Sequence, residues 1–325
     1  MKTHIENFPQ DIVDAFQIIE INQLKKFYPN FNNILICGMG ASGIGGLLVS
    51  RWFQNELVIP VNCCQDYNLP GYVNKSTLVI ACSYSGNTEE TLSAVEQAHE
   101  KGASIIAITS GGKLERFCSE NNYESTIIPG GKPPRTQLAY MCVLLTDIFC
   151  LFGFIEEDRL VEIFNASSIL RGVNEKIHKE AKRIAESLFK KNIVIYSELK
   201  DEAIAVRARQ QFQENSKVLC SHHVIPEMNH NELVGWAGGN EKHAVIFIET
   251  ASMHPQNKKR FDYTRGVVES KTAHSLTIKS DFENEIVSSL YLIHVLDWAS
   301  YYLAELRDVD ATEVDVIDKL KISLV

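Results

Sequence analysis

Two α/β domains, each a parallel sheet flanked by helices, are the architecture that this 325-residue sequence predicts. Two observations point to it. Apolar, β-branched runs alternate with helix-spaced segments through the first half. The same series of runs then returns in the second half, at spacings of about 160 to 171 residues. Runs without polar alternation mark strands buried on both faces, the condition of a parallel sheet between layers of helices. A repeated strand series marks two copies of one supersecondary unit. The expected division is into residues 1–160 and 161–325.

The elements follow in order. "NILICG" (33–38) reads as a strand, and "SGIGGLLVSRWFQN" as a helix starting among glycines. "VIPVNC" and "STLVIAC" are strands, "NTEETLSAVEQAHEKG" is a helix, and "ASIIAIT" is a further strand. Asn87 suits the helix N-cap, Glu90 stands three residues on, and Gly102 closes the helix. In the second half "NIVIYS" (192–197) answers "NILICG", "HAVIFIET" (243–250) answers "STLVIACS", and "SLTIKS" (275–280) answers "SIIAIT". The glycine and hydroxyl loops of the first copy have no counterpart in the second. The first copy is therefore expected to hold phosphate and the second to contribute other groups.

Composition narrows the function. A net charge of −9 argues against nucleic acid, which needs a basic face to release counterions. An anionic ligand must then be held by local geometry. The eight cysteines form no C-x-x-C pair and fit reduced, buried thiols of a cytoplasmic protein. The N-terminus, "MKTHIENFPQDIVDAF", has early acidic residues and no apolar core, so it does not read as a signal peptide. "LAYMCVLLTDIFCLFGFI" (138–155) has the length of a membrane span, but Asp147 in its middle favours a buried helix between domains.

Two loops carry the chemistry. Gly38, Gly40 and Gly43 satisfy G-x-G-x-x-G after a strand, a dinucleotide fingerprint that also suits a plain strand-to-helix turn. The acidic residue expected to end the next strand is missing, since "VIPVNCC" ends in cysteines and Asp66 comes late. "SYSGNTEET" (83–91) is more informative. Ser83, Ser85 and Thr88 can turn hydroxyls towards one centre, with N–H groups from Gly86 onward and a helix dipole facing the same way. Neutral donors in this arrangement suit a single phosphate monoester.

"GMGASGIGG" followed by "SYSGNTEET" resembles the sugar isomerase (SIS) domain, which binds phosphosugars. "PGGKPPRTQLAY", "PEMNHNELVGW" and "DATEVDVIDKLK", in this order, resemble the bifunctional phosphoglucose/phosphomannose isomerase family from about residue 30 to the C-terminus. The resemblance implies two SIS-type domains and hexose 6-phosphates as substrates. It also implies a homodimer with shared active sites, and Gly40 and Ser42 beside Ser83, Ser85 and Thr88 at the substrate.

Moving a proton between C2 and C1 of an aldose phosphate needs one base, a cation near the developing oxyanion, and an acid/base for ring opening. The resemblance places the base at Glu227, with Glu232 a competitor from sequence alone. Arg135 follows two prolines and opens the apolar helix, so its cation is expected near that helix's N-terminus. The family assigns ring opening to the position of His243, a residue that reaches across a dimer interface in related isomerases. It gives Lys319 ring opening and contact with substrate oxygens. Thr312, seven residues before Lys319, is expected on the same helix face. A small side chain there, where glucose-specific relatives carry a larger amide, implies room for the C2 epimer. His222, His223, Glu227 and His230 form a histidine-rich stretch, but no H-x-x-x-H pair stands on a clear helix and Pro226 interrupts it. Neither metal nor cofactor is expected, nor a nucleic-acid or membrane partner. The rival functions are a phosphosugar sensor without turnover and a nicotinamide enzyme resting on the glycine fingerprint.

Overall fold

The computed structural model describes residues 1–22, 24 and 30–324. The chain divides into two compact units, Glu6–Arg171 and Gly172–Val325 with Met1–Ile5. After α1 (Lys2–Glu6), the first unit runs α2 (Phe8–Asn22), β1 (Asn33–Cys37), α3 (Gly40–Trp52), β2 (Val61–Cys64) and β3 (Thr77–Ser83). It continues with α4 (Glu89–Glu100), β4 (Ser104–Thr109), α5 (Gly112–Glu120), β5 (Glu124–Ile127), α6 (Leu138–Leu151) and α7 (Asp158–Gly172).

Its strands are parallel, in the order β2-β1-β3-β4-β5. β3 is buried at every residue, as its uninterrupted apolar run requires. The chain leaves β1 towards β2 on one side, and later enters β3 on the other. The carboxyl ends of β1 and β3 therefore flank a topological switch point, where open α/β sheets leave a crevice for ligands. Cys37 pairs with Ala81, so the loops that follow start side by side. One core cluster covers a sheet face with Leu35, Val79 and Ala107 against Ala94, Val95, Ala98 and Leu114 of α4 and α5.

The second unit runs α8 (Asn174–Leu188), β6 (Asn192–Glu198), α9 (Glu202–Ser216), β7 (Cys220–Ile225) and α10 (Glu232–Gly235). It then adds β8 (His243–Thr250), α11 (Pro255–Glu269), β9 (Ser275–Ser280), α12 (Glu285–Arg307) and α13 (Asp315–Ser323). Its parallel sheet has the order β7-β6-β8-β9. β6, β8 and β9 thus stand where β1, β3 and β4 stand in the first sheet. The repeated series in the sequence is a repeated topology.

Some elements differ from the sequence expectation. β2 begins at Val61 because Pro60 has no N–H to pair; its carbonyl accepts from the Ile34 N–H at 2.9 Å. α3 begins at Gly40, two residues early. β5 and β7 were not foreseen, since "ESTI" and "CSHHVI" carry polar residues along edge strands of their sheets. None of the cysteines is in a disulfide, and seven of the eight are buried.

The apolar stretch folds as α6, only 14 residues long, and no described helix is long and apolar enough to cross a membrane. Burial, with Glu157 nearby, lifts the Asp147 carboxyl from its ordinary 3.8 to about 6. A carboxyl raised in this way favours folding while protonated, and that contribution is lost as pH rises through about 6. Asp147→Asn should therefore raise Tm near pH 8 and change it little near pH 4. Melting curves of both proteins at the two pH values check this, and a pH-independent difference goes against it.

Candidate active site

The first unit gathers one group of candidate residues at the switch point. Gly38 follows β1 so close to the neighbouring strand that a Cβ there would stand 2.7 Å from the Cys82 carbonyl oxygen. Only glycine lets the two loops approach this closely. Gly40 then opens α3, and Ser42 is buried in its first turn. Met39, the N-cap of α3, offers no side-chain hydrogen bond, so the first-turn N–H groups remain uncapped by it.

The second loop has a related design. Ser83 Oγ donates to Thr88 Oγ1 at 2.9 Å, which leaves the Thr88 hydroxyl proton available to a ligand. Ser85 is exposed, and its Oγ accepts from the Asn87 N–H at 3.2 Å, leaving its own proton free to donate. Gly86, at φ 67°, lies against Gly111, where a Cβ would overlap the carbonyl. The helix cap differs from the expectation. Thr88, not Asn87, is the N-cap of α4, and it makes no side-chain cap bond. Asn87 instead donates to the Ser85 carbonyl and accepts from the Lys113 N–H. The Gly86 N–H is likewise used within the loop, on the Ser83 carbonyl at 3.0 Å. The donors left for an anion are the Ser85 and Thr88 hydroxyls and the first-turn N–H groups of α3 and α4, with Ser83 orienting Thr88.

Arg135 belongs to the same unit. It sits in a 3-10 turn, Pro134–Thr136, just ahead of α6, and is 5% exposed. The turn packs against α3. Thr136 N–H and Oγ1 both donate to the Pro133 carbonyl, at 2.9 and 2.8 Å, and close the turn around the arginine.

The second unit holds the other candidates. Glu227 opens a 3-10 turn, Glu227–His230, past the carboxyl end of β7 and the cis Ile225–Pro226 bond. Its neighbour Met228 is buried in the core cluster with Tyr196, Phe247 and Phe261, which leaves Glu227 exposed on the outer side. Glu227 Oε1 accepts from Asn231 Nδ2 at 3.0 Å. Glu232, the competitor, is committed elsewhere. It accepts from the Tyr196 hydroxyl at 2.5 Å and pairs with His223 Nδ1 at 2.6 Å. Tyr196 in turn accepts from Trp236 Nε1 at 2.8 Å. Burial, and then the Glu232 carboxylate, push the Tyr196 phenol well above its ordinary range, so it remains a hydrogen-bond donor.

His243 begins β8, with its ring 5.7 Å from that of Trp236 and Nδ1 3.3 Å from the Asn240 carbonyl. Glu227 and His243 do not meet within this unit. Register places His243 opposite Asn192 and Ile225 opposite Glu198, six residues further along β6. That separates the two ends by roughly 20 Å. Lys319 is exposed on α13. Thr312 lies before α13 begins at Asp315, so the shared helix face expected for the two residues does not form. Its N–H donates to Asp310 Oδ1 at 2.7 Å, and its Oγ1 accepts from the chain's amino group. Among the described residues no three His, Cys, Asp or Glu side chains converge as metal ligands. Within the histidine-rich stretch, His223 is turned to Glu232.

The SIS domain family model matches residues 29–126, and the model described as the bacterial phospho-glucose isomerase C-terminal SIS domain matches residues 177–324. The bifunctional phosphoglucose/phosphomannose isomerase of Caldicellulosiruptor bescii is 36% identical, across 98% of this chain and 96% of its own length. The chain belongs to the bifunctional phosphoglucose/phosphomannose isomerase family. Another relative bearing that family's name, from Aquifex aeolicus, is 33% identical over 95% of this chain and 96% of its own. The D-glucosamine-6-phosphate 4-epimerase of Sulfolobus acidocaldarius is 28% identical over 87% of the chain and 86% of its own.

Solved structures share the fold of this family at low identity. The C-terminal domain of glucosamine-fructose-6-phosphate aminotransferase from Francisella tularensis has a TM-score of 0.76 at 15% identity, covering 97% of both chains. The tagatose-6-phosphate ketose/aldose isomerase of Escherichia coli has a TM-score of 0.68 at 14% identity, covering 95% of this chain and 93% of its own.

Proposed function

We propose that this protein interconverts glucose 6-phosphate, and mannose 6-phosphate as well, with fructose 6-phosphate through a cis-enediol. It does so without metal or cofactor, as a cytoplasmic homodimer. The observation that carries this reading is the set of neutral donors at the β1/β3 switch point, in a chain whose relatives bear the isomerase name over nearly its whole length. Ser83, Ser85 and Thr88, with Gly40 and Ser42, hold the phosphosugar.

Glu227 takes the C2 proton of the aldose and returns it to C1 to give the ketose, and in the reverse reaction it moves the proton from C1 to C2. Its exposure supports this over the Tyr196-bonded and His223-bonded Glu232. Arg135 stabilises the enediolate oxygen, where a buried guanidinium acts in low dielectric. His243 and Lys319 open the sugar ring, and the small Thr312 leaves room for both C2 epimers.

Purified protein incubated separately with fructose, glucose and mannose 6-phosphates, with a chelator present, tests this reading. The other two sugar phosphates should appear from each, identified by chromatography. Binding without product would favour a phosphosugar sensor, and loss of turnover to the chelator would remove the metal-free mechanism.

The hydroxyl loop gives a separate expectation. Ser85→Ala and Thr88→Ala each remove a donor to a charged acceptor, costing about 1.5–3 kcal/mol of phosphosugar binding. Titration with phosphorylated and unphosphorylated sugar checks it. Equal losses for both ligands would assign the loop to the fold instead.

A further inference from the structure

We propose that Tyr84 is a positioning residue, whose phenol sets Arg135 by clamping the Pro129–Lys132 turn to the hydroxyl loop. Tyr84 stands between Ser83 and Ser85, yet its buried side chain bonds to a different loop from theirs. Its hydroxyl donates to the Pro129 carbonyl at 3.1 Å and accepts from the Lys132 N–H at 2.9 Å. Its own carbonyl accepts from both the N–H and the Oγ of Ser110, at 2.9 and 2.6 Å. One residue thus ties together the loops that follow β3, β4 and β5.

The turn is held from its other side as well. Lys132 Nζ forms an ion pair with the buried Asp11 of α2 at 3.0 Å and lies 5.8 Å from the Tyr140 ring centre of α6. Between Lys132 and Arg135 stand only Pro133 and Pro134, whose φ angles are locked by their rings. The Pro133 carbonyl accepts from Thr136 twice, so little backbone freedom remains between the clamped N–H and the Arg135 Cα. Fixing Lys132 fixes the backbone from which the buried Arg135 side chain projects. The phosphate hydroxyls and the cation are then held at a set separation by a residue that touches neither substrate nor reacting atoms.

This inference rests on the proposed role of Arg135 at the oxyanion. Tyr84→Phe keeps the buried ring but removes both hydrogen bonds from the turn. A displaced Arg135 should lower kcat by about 10- to 100-fold, the range for misplacing a catalytic group by about 1 Å. Inhibition by inorganic phosphate should stay within about twofold, because Ser83, Ser85 and Thr88 are not attached to the phenol. In an Arg135→Ala background, Tyr84→Phe should change kcat by less than about twofold, since the two residues act as one unit. Thermal melting reports folding.

If Tyr84→Phe does not fold, Asp11→Asn releases the same turn through Lys132 Nζ and should show the same loss, again absent without Arg135. An Arg135→Ala protein with undiminished turnover overturns the reading of Arg135 and this inference with it. A crippled Arg135→Ala beside fully active, folded clamp variants overturns this inference alone. So does a loss that persists undiminished in the Arg135→Ala background, or one that weakens phosphate inhibition equally.

Discussion

Glu227→Gln should lower kcat by roughly 10²–10⁴-fold while phosphosugar binding stays close to that of the unaltered protein. The amide keeps the size of the side chain and its bond from Asn231, but it cannot accept the C2 proton. Met228 anchors the turn in the core, so the substitution leaves the backbone in place. Steady-state turnover and equilibrium binding of fructose 6-phosphate measure the two halves of the expectation. Glu232→Gln supplies the contrast. It weakens the links to Tyr196 and His223 without touching Glu227, the proposed base, so it should cost far less turnover. An active Glu227→Gln beside a dead Glu232→Gln would exchange the two assignments.

Mixing two inactive variants should restore activity. Glu227 and His243 stand beyond opposite ends of the strands of one sheet, roughly 20 Å apart by register, farther than one hexose phosphate can bridge. A site needing both must take them from different chains, and a two-fold dimer provides two such sites. When Glu227→Gln and His243→Ala subunits form a heterodimer, one site carries both lesions and the other carries neither. Its activity should approach about half that of the unaltered dimer, on a count of independent sites. His243→Ala alone should slow the cyclic sugars more than proton exchange on open-chain substrate. If activity does not return although subunits demonstrably exchange, both residues of a site come from one chain.

Much of this was legible in the sequence because it follows from local chemistry. Apolar runs such as "STLVIAC" can be stable only when buried on both faces, so they announced parallel strands and, by repetition, two sheets of like order. Hydroxyl and glycine loops between a strand and a helix were legible too, since small side chains gather where two strand-to-helix turns pack closely. The edge strands β5 and β7 were harder to read. Their partners lie on one side only, so their polar residues carry no burial signal.

By itself, then, the sequence determined the two α/β units, the glycine and hydroxyl loops at their strand ends, and the short stretch that carries both Glu227 and Glu232. Which carboxylate stays exposed and clear of Tyr196 and His223 was decided only in three dimensions. Glu227 and Glu232 are five residues apart and alike in sequence, but folding brings Tyr196 and His223 to Glu232 alone. The same holds for Thr312, which spacing put on a helix and the chain leaves outside it. Tyr84 reads as an aromatic spacer between two serines until the turn at Pro129–Lys132, more than 40 residues on, closes over its hydroxyl. Hydrogen bonds between residues distant along the chain leave no periodicity to read, because their partners are chosen by packing and not by spacing.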